Sequence, residues 1–390
     1  MPASSPAQTL TSYLQPLMPN YLEELGQLCA IESPSDHKSG VDEVGAWVQQ
    51  WVAQHGWQVE VWSDETVGNS IVATVQGGGK LRVMLAAHMD TVYPPGTLSE
   101  HPLRTEGDKL IGPGTADNKG GLLSGLYAID ALQQSNLLDH FATVSMVCGG
   151  DEETDMRSSE ALLRHLAPSY DLALILEPGR PNGAIVSARK GIANYVLEAH
   201  GKSAHAGVEP HRGANAVLSL AHQIVALQAL NGTREGLTVN VGVVAGGTRP
   251  NVVADYARAE VDVRVVQAAD MEVVSEQIAD IAANSPIDGV TTTLSGGWHF
   301  GPMARTSQVA DLVSLAQSCA EELGFSLQDV ATGGGSYANT LSSVGLALLD
   351  GLGPIGGHLH SPDEYIAISS IVPRIALISL LMLRHAEQTA

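Results

Sequence analysis

A chain of 390 residues is long for one compact core and suits two domains. Its composition, 44% hydrophobic and 16% charged, excludes a disordered chain. Forty-two acidic against 20 basic residues give a formal charge of −22, a field that repels a phosphate backbone and argues against a nucleic-acid partner.

The opening segment, MPASSPAQTLTSYLQPL, lacks the basic stretch and continuous apolar run of a signal peptide. A helix is expected over 13–29, ended by ESPS, and another over 41–54. Runs 58–62, 70–75 and 81–87 read as strands, the last almost wholly apolar, which marks a strand covered on both faces. A helix over 122–134, a buried strand over 143–148, a helix over 159–165 and a buried strand over 172–176 complete an α/β layered pattern.

The middle of the chain changes character. Strand 193–200, helix 214–230, strands 238–244 and 257–265, helix 271–283 and strand 290–294 follow the β-α-β-β-α-β order of a small ferredoxin-like domain. Within 257–265, Ala257, Ala259, Val261 and Val263 alternate with Arg258, Glu260, Asp262 and Arg264, so one sheet face is expected to be open or lightly covered. The chain then returns to helix, strand and helix. The expected fold is thus a helix-covered mixed α/β sheet domain, residues 1–190 and 301–390, interrupted by an inserted α+β domain, residues 191–300. The C-terminal run IVPRIALISLLMLRHAEQ carries Arg374 and Arg384 and reads as a core helix; no stretch is expected to be long and apolar enough to span a bilayer. Cys29, Cys148 and Cys319 are too scattered for a disulfide framework or a CxxC site, which suits buried thiols in a reducing cytoplasm.

Chemistry-bearing residues gather at strand ends. The apolar strand that includes Leu85 runs into His88-Met-Asp90, where ligands sit in open α/β sheets. His88 reads either as a structural histidine or as a metal ligand whose second ring nitrogen is held by Asp90. In Ile111-Gly-Pro-Gly-Thr-Ala-Asp117-Asn-Lys-Gly-Gly, Asp117 reads either as a helix N-cap or as a carboxylate shared between two cations. Asp151, Glu152 and Glu153 follow a buried strand; their mutual repulsion is costly without neutralising cations, the other reading being a solvated acidic turn. Glu177 closes another buried strand, and one of His358 and His360, in a Gly-rich loop, is a further candidate ligand. The combined set of imidazoles and carboxylates, without Cys, suits zinc and also cobalt or manganese.

The motifs HMDTV, GPGTADNKGG, GDEE, LEPG and HSPDEY, with HGKSAHAG, GGTRPNVV and VDVR in the inserted region, make the chain resemble a zinc metallopeptidase family. That family includes bacterial glutamate carboxypeptidase, aminoacylase, acetylornithine deacetylase and succinyl-diaminopimelate desuccinylase. HMDTVYPPGTL, ARKG and EYIAISSIVPR place the likeness nearest the glutamate carboxypeptidase branch. The resemblance implies two Zn2+ per chain, one held by His88, Asp117 and Glu177 and the other by Asp117, Glu153 and His360. It implies Glu152 as general base on a metal-bridging water, Asp90 as the group that orients His88, and a cis Asp117–Asn118 peptide. His205 is implied to assist the scissile carbonyl, through domain closure or from a partner subunit. Arg264, with Asn251 and Lys190, is implied to bind substrate, Arg264 gripping the α-carboxylate of a C-terminal residue. A homodimer through the inserted domain is implied as well.

Tyr337, in Gly333-Gly-Gly-Ser-Tyr-Ala-Asn, stands where the family usually has Asp, with altered side-chain specificity or supporting hydrogen bonds as the expected consequence. The segment after Glu153 also lacks the family's glycines; its Asp155 lies outside the residues described below. The expected activity is release of a C-terminal, glutamate-type amino acid from a small peptide. The competing readings are an N-acyl amino acid deacylase and, from another class, an inactive binding protein that kept the fold.

Overall fold

A computed structural model describes residues 5–154 and 156–389. It separates into two compact units: Met1–Ala188 with Arg305–Ala331 and Ser336–Ala390, and Arg189–Ala304 with Thr332–Gly335.

The first unit is built on a six-stranded sheet in the order Gln58–Trp62, Ser70–Gln76, Phe141–Gly149, Leu81–His88, Leu172–Ile175, Ala347–Leu349. The first two junctions are antiparallel and the rest parallel, so the sheet is mixed. Its central strands are buried along almost their whole length, which is why they read as continuous apolar runs rather than alternations. Helix Gly121–Gln134 is apolar nearly all round, and its first twelve residues, to Leu132, are all buried.

The N-terminal region departs from the expected single helix. It forms Pro6–Leu14, a 3-10 turn Gln15–Leu17 and Met18–Ala30. Each piece has a proline in its first two positions, where the missing N–H costs nothing but where a continuous helix would be interrupted. The C-terminal helix also needs a correction. Ile368–Thr389 is long and apolar enough, by length and composition, to cross a membrane. Most of it is buried inside this unit, against Gly121–Gln134 among other elements, so it serves here as a core helix.

A small sheet that the sequence does not announce orders two loops of this unit. Gly356–Gly357, Tyr365–Ala367, Lys109–Ile111 and Arg104–Glu106 pair antiparallel in that order, with Tyr365 opposite Ile111. The glycine-rich loop that carries Asp117 and the loop that carries His360 therefore leave adjacent strands.

The second unit is a four-stranded antiparallel sheet in the order Thr238–Gly246, Tyr256–Val265, Gly191–His200, Thr291–Phe300, with helices Ala216–Gln228 and Asp270–Ala283. Order and connectivity are ferredoxin-like. Ala257, Ala259, Val261 and Val263 are buried with both helices in one core, while Arg258, Glu260, Asp262 and Arg264 are half-buried on the other face. The last strand runs longer than expected: Ser295–Phe300 is not apolar, yet its backbone stays paired to Gly191–His200 through Gly296 and Gly297, both at positive φ.

Candidate metal centre

The ends of three parallel strands and two loops of the first unit bring His88, Asp117, Glu152, Glu153, Glu177 and His360 together. Ligand atoms of His88, Asp117 and Glu177 lie within 4.8 Å of one another, as do those of Asp117, Glu153 and His360, and of His88, Glu152 and Glu153. His88 Nε2 is 3.0 Å from Asp117 Oδ1 and 3.7 Å from Glu177 Oε1. His360 Nε2 is 3.3 Å from Asp117 Oδ2 and 3.5 Å from Glu153 Oε2. Asp117 thus offers one oxygen to each histidine.

The local alternatives are decided residue by residue. Asp117 is not the cap of the following helix, whose N-cap is Gly120 without a side-chain bond. Its peptide to Asn118 is cis. The acidic run is not a solvated turn. Asp151 is fully buried and accepts from Ser158 N and Ser159 N, at 2.8 and 3.0 Å, and from Ser159 Oγ, which anchors the start of helix Arg157–Leu166. Of the two loop histidines, His360 joins the cluster, while the exposed His358 packs edge-on against Tyr365. His88 Nδ1 faces Asp90, 3.0 Å from its carbonyl oxygen and 3.2 Å from Oδ1. Asp90 also accepts the amides of Glu152 and Glu153, at 3.1 and 3.0 Å, and the hydroxyl of Ser35 at 2.6 Å. One buried carboxylate therefore fixes both the imidazole and the Glu152–Glu153 turn. Neither Ser35 nor this double role was legible in the sequence. Asn118 Nδ2 similarly holds Glu177 Oε1 at 2.9 Å.

Electrostatics favour a cation here. Burial, reinforced by the charges of Glu177, Glu153 and Asp117 and opposed by His88, holds the Glu152 carboxyl well above the usual carboxylate range. Burial likewise raises Glu153. Hydrogen bonds to Asp117 and Glu153 push His360 up to about 10. Like charges converging in a buried site are stable only with a compensating positive charge. Glu153 Oε1 is buried without a hydrogen-bond partner among the described residues. The orphaned oxygen, the convergent carboxylates and the two imidazoles fit divalent cations.

Tyr337 does not line an open pocket. It is fully buried, its ring edge-on to His88 at 6.4 Å, and its hydroxyl lies against Gly149, where a Cβ would come within 1.7 Å of the oxygen. Burial and the charges of Asp90, Glu152 and Asp151 keep that hydroxyl protonated. Of the two expected consequences of this departure, side-chain specificity and supporting hydrogen bonds, the position of Tyr337 bears on the second: its ring packs against His88.

The other candidates lie in the second unit. His205 is exposed and bridges to Val252, and Ala206 N donates to Asn251 O at 3.0 Å, so the two motif loops stand side by side. Arg264 is paired: Nε and Nη2 donate to Asp262, and Nη1 to Gly333 O at 2.6 Å. Lys190 Nζ donates to Gly236 O at 2.6 Å.

The family model described as peptidase family M20/M25/M40 matches residues 84–384. Among curated relatives, carboxypeptidase G2 of Pseudomonas sp. (strain RS-16) is 27% identical over 375 residues, covering 94% of this chain and 89% of its own. Acetylornithine deacetylase of Aliivibrio salmonicida (strain LFI1238) is 26% identical over 393 residues, covering 94% of this chain and 99% of its own. A tripeptidase from Staphylococcus aureus shares the fold with a TM-score of 0.81 at 21% identity, covering 95% of this chain and 99% of that one. An M20 family metallo-carboxypeptidase from Sulfolobus solfataricus does so with a TM-score of 0.76 at 18% identity, covering 94% and 99%.

Proposed function

This chain belongs to peptidase family M20/M25/M40 and is a metallohydrolase acting on amide bonds, and from that premise we propose that it is a di-zinc carboxypeptidase releasing a C-terminal, glutamate-type amino acid. The observation that carries the two-cation reading is Asp117, whose two oxygens face two separate ligand groups. His88, Asp117 and Glu177 would hold one ion, and Asp117, Glu153 and His360 the other. Zinc suits this donor set, with cobalt or manganese as substitutes.

When bound, the cations supply Lewis acidity, lowering the pKa of water and polarising the scissile carbonyl. Glu152 is the general base: its carboxylate stands beside the ligand atoms, grouped with those of His88 and Glu153. Glu152 takes a proton as the water oxygen forms its bond to the carbonyl carbon. The C–N bond then breaks, and Glu152 returns the proton to the leaving nitrogen. Asp90 holds the His88 ring and the Glu152 amide, so base and ligand keep one spacing. His205 is assigned to stabilising the carbonyl oxygen, and Arg264, Asn251 and Lys190 to binding the substrate carboxylate.

The similarity to acetylornithine deacetylases over 94% of the chain supports a second reading, an N-acyl amino acid deacylase. A panel of folate-like, dipeptide and N-acyl substrates, assayed with zinc and with cobalt, separates the two. Preference for N-acyl amino acids overturns the carboxypeptidase assignment. An inactive scaffold is the outcome if metal-loaded protein turns over none of them. A homodimer through the second unit is supported by helix Ala216–Gln228, which exposes Val217, Leu218 and Val225, and by the edge strand Thr238–Gly246, which exposes Val243 and Val244. A light-scattering mass equal to one chain rejects it. Three free, buried cysteines support a reducing, cytoplasmic setting; recovery of the protein in another cell fraction would count against it.

A further inference from the structure

Glu364 is a buried carboxylate outside the ligand set, and its position in the HSPDEY motif gives no hint of its contacts. It is 0% exposed. Oε1 accepts two consecutive amides, Ala116 N at 2.8 Å and Asp117 N at 2.9 Å. Oε2 accepts the hydroxyl of Tyr93. The same hydroxyl lies 2.9 Å from the carbonyl oxygen of Ser361, the residue after His360. The Glu364 backbone adds two further ties: its carbonyl accepts from Gly112 N at 2.8 Å, and its N–H donates to Ser361 O at 3.0 Å.

Three segments therefore meet on one side chain: the loop carrying Asp117, the loop carrying His360, and the Tyr93 segment just beyond His88 and Asp90. An ionised carboxylate suits this node because both of its oxygens only accept. Its location is electrostatically costly: the carboxylate is fully buried beside Asp117. A fold seeking stability alone has little reason to bury a second acid beside Asp117.

We propose that Glu364 and Tyr93 form a clamp that sets Asp117 and His360 at the spacing a shared cation requires, Glu364 acting as a positioning residue and never as a ligand. The proposal rests on the reading of Asp117 and His360 as ligands. Groups that orient metal ligands from outside the coordination shell commonly contribute about 10–100-fold to metal affinity.

The test is calorimetric titration of metal-free protein with zinc, with folding followed by circular dichroism. Wild type, Glu364→Ala, Glu364→Gln, Tyr93→Phe and Asp117→Ala are compared. Glu364→Ala is expected to bind zinc about 10–100-fold more weakly. Glu364→Gln should recover most of that loss, since its amide oxygen still accepts the Ala116 and Asp117 N–H groups while its NH2 donates to Tyr93. Tyr93→Phe should weaken binding by a smaller factor. A folded Glu364→Ala protein with wild-type affinity overturns the clamp, as does a Glu364→Gln protein no better than Glu364→Ala. Should Glu364→Ala fail to fold, Tyr93→Phe decides, unchanged affinity overturning the proposal. If Asp117→Ala binds zinc as wild type does, the ligand reading itself falls, a result distinct from failure of the clamp alone.

Discussion

The two units use their acidic residues in opposite ways. On the half-buried face of strand Tyr256–Val265, opposite charges pair two residues apart, Arg258 with Glu260 and Arg264 with Asp262. At the strand ends of the first unit, carboxylates converge with two histidines. The first pattern neutralises itself and needs no outside partner. The second is stable only with something positive between its members. Acidic side chains thus mark a surface in one unit and a candidate metal centre in the other, the difference lying in which charges face each other.

The sharpest way to break this contrast is at Glu152. If the converging acids divide into ligands and a base, Glu152→Gln should leave zinc stoichiometry intact and lower kcat by about 10²–10⁴-fold. Metal analysis alongside steady-state kinetics reads both. Turnover near wild type would remove Glu152 as the base, and lost metal would make it a ligand instead. Next comes Asp117→Ala, which should lower the metal content measured by mass spectrometry, because both ligand groups that include a histidine and Asp117 lose a member. An undiminished two-ion stoichiometry would sink the shared-ligand assignment.

The sequence showed much of this site because its parts are local. Continuous apolar runs mark Leu81–His88, Phe141–Gly149 and Leu172–Ile175, and each proposed ligand or base stands at or just past the end of such a run or in a glycine-rich loop. The alternation of Tyr256–Val265 marks the half-covered sheet in the same way. What stayed hidden acts across long separations. Ser35 reaches Asp90, Glu364 reaches Asp117, and Tyr337 packs behind His88, contacts that no periodicity encodes. The small sheet pairing Tyr365 with Ile111 is hidden for another reason: its strands are two or three residues long, too short to show a pattern.

Tyr337 offers a test of how far the candidate metal centre extends behind its proposed ligands. Because a Cβ on Gly149 would stand 1.7 Å from the tyrosine oxygen, Gly149→Ala should destabilise the protein by about 1–3 kcal/mol through overpacking. Adding Tyr337→Phe removes the nearest clashing atom, leaving Cζ at 2.6 Å, and should restore part of that loss in urea melts. Equal stability of Gly149→Ala and wild type would show that the hydroxyl does not sit against the strand. Gly149 is paired with His88 in the sheet, so the same substitution is also expected to weaken zinc binding, which a stability effect elsewhere in the fold would not do.

The smallest expected effect probes the self-neutralising surface. Arg264 already has partners in Asp262 and the Gly333 carbonyl, so gripping a substrate carboxylate means exchanging some of those bonds. The net gain is then the difference between two charged hydrogen-bonded states. Arg264→Ala should raise KM about tenfold, equivalent to ~1.4 kcal/mol, with kcat little changed. Asp262→Asn should act the other way, lowering KM by releasing the guanidinium from its resident carboxylate. If neither substitution moves either kinetic constant, Arg264 belongs with Arg258 as one more ion pair on the sheet, and the contrast between the two units becomes complete. If both move KM in opposite directions, the paired face of the second unit is a binding surface held in check by its own acids.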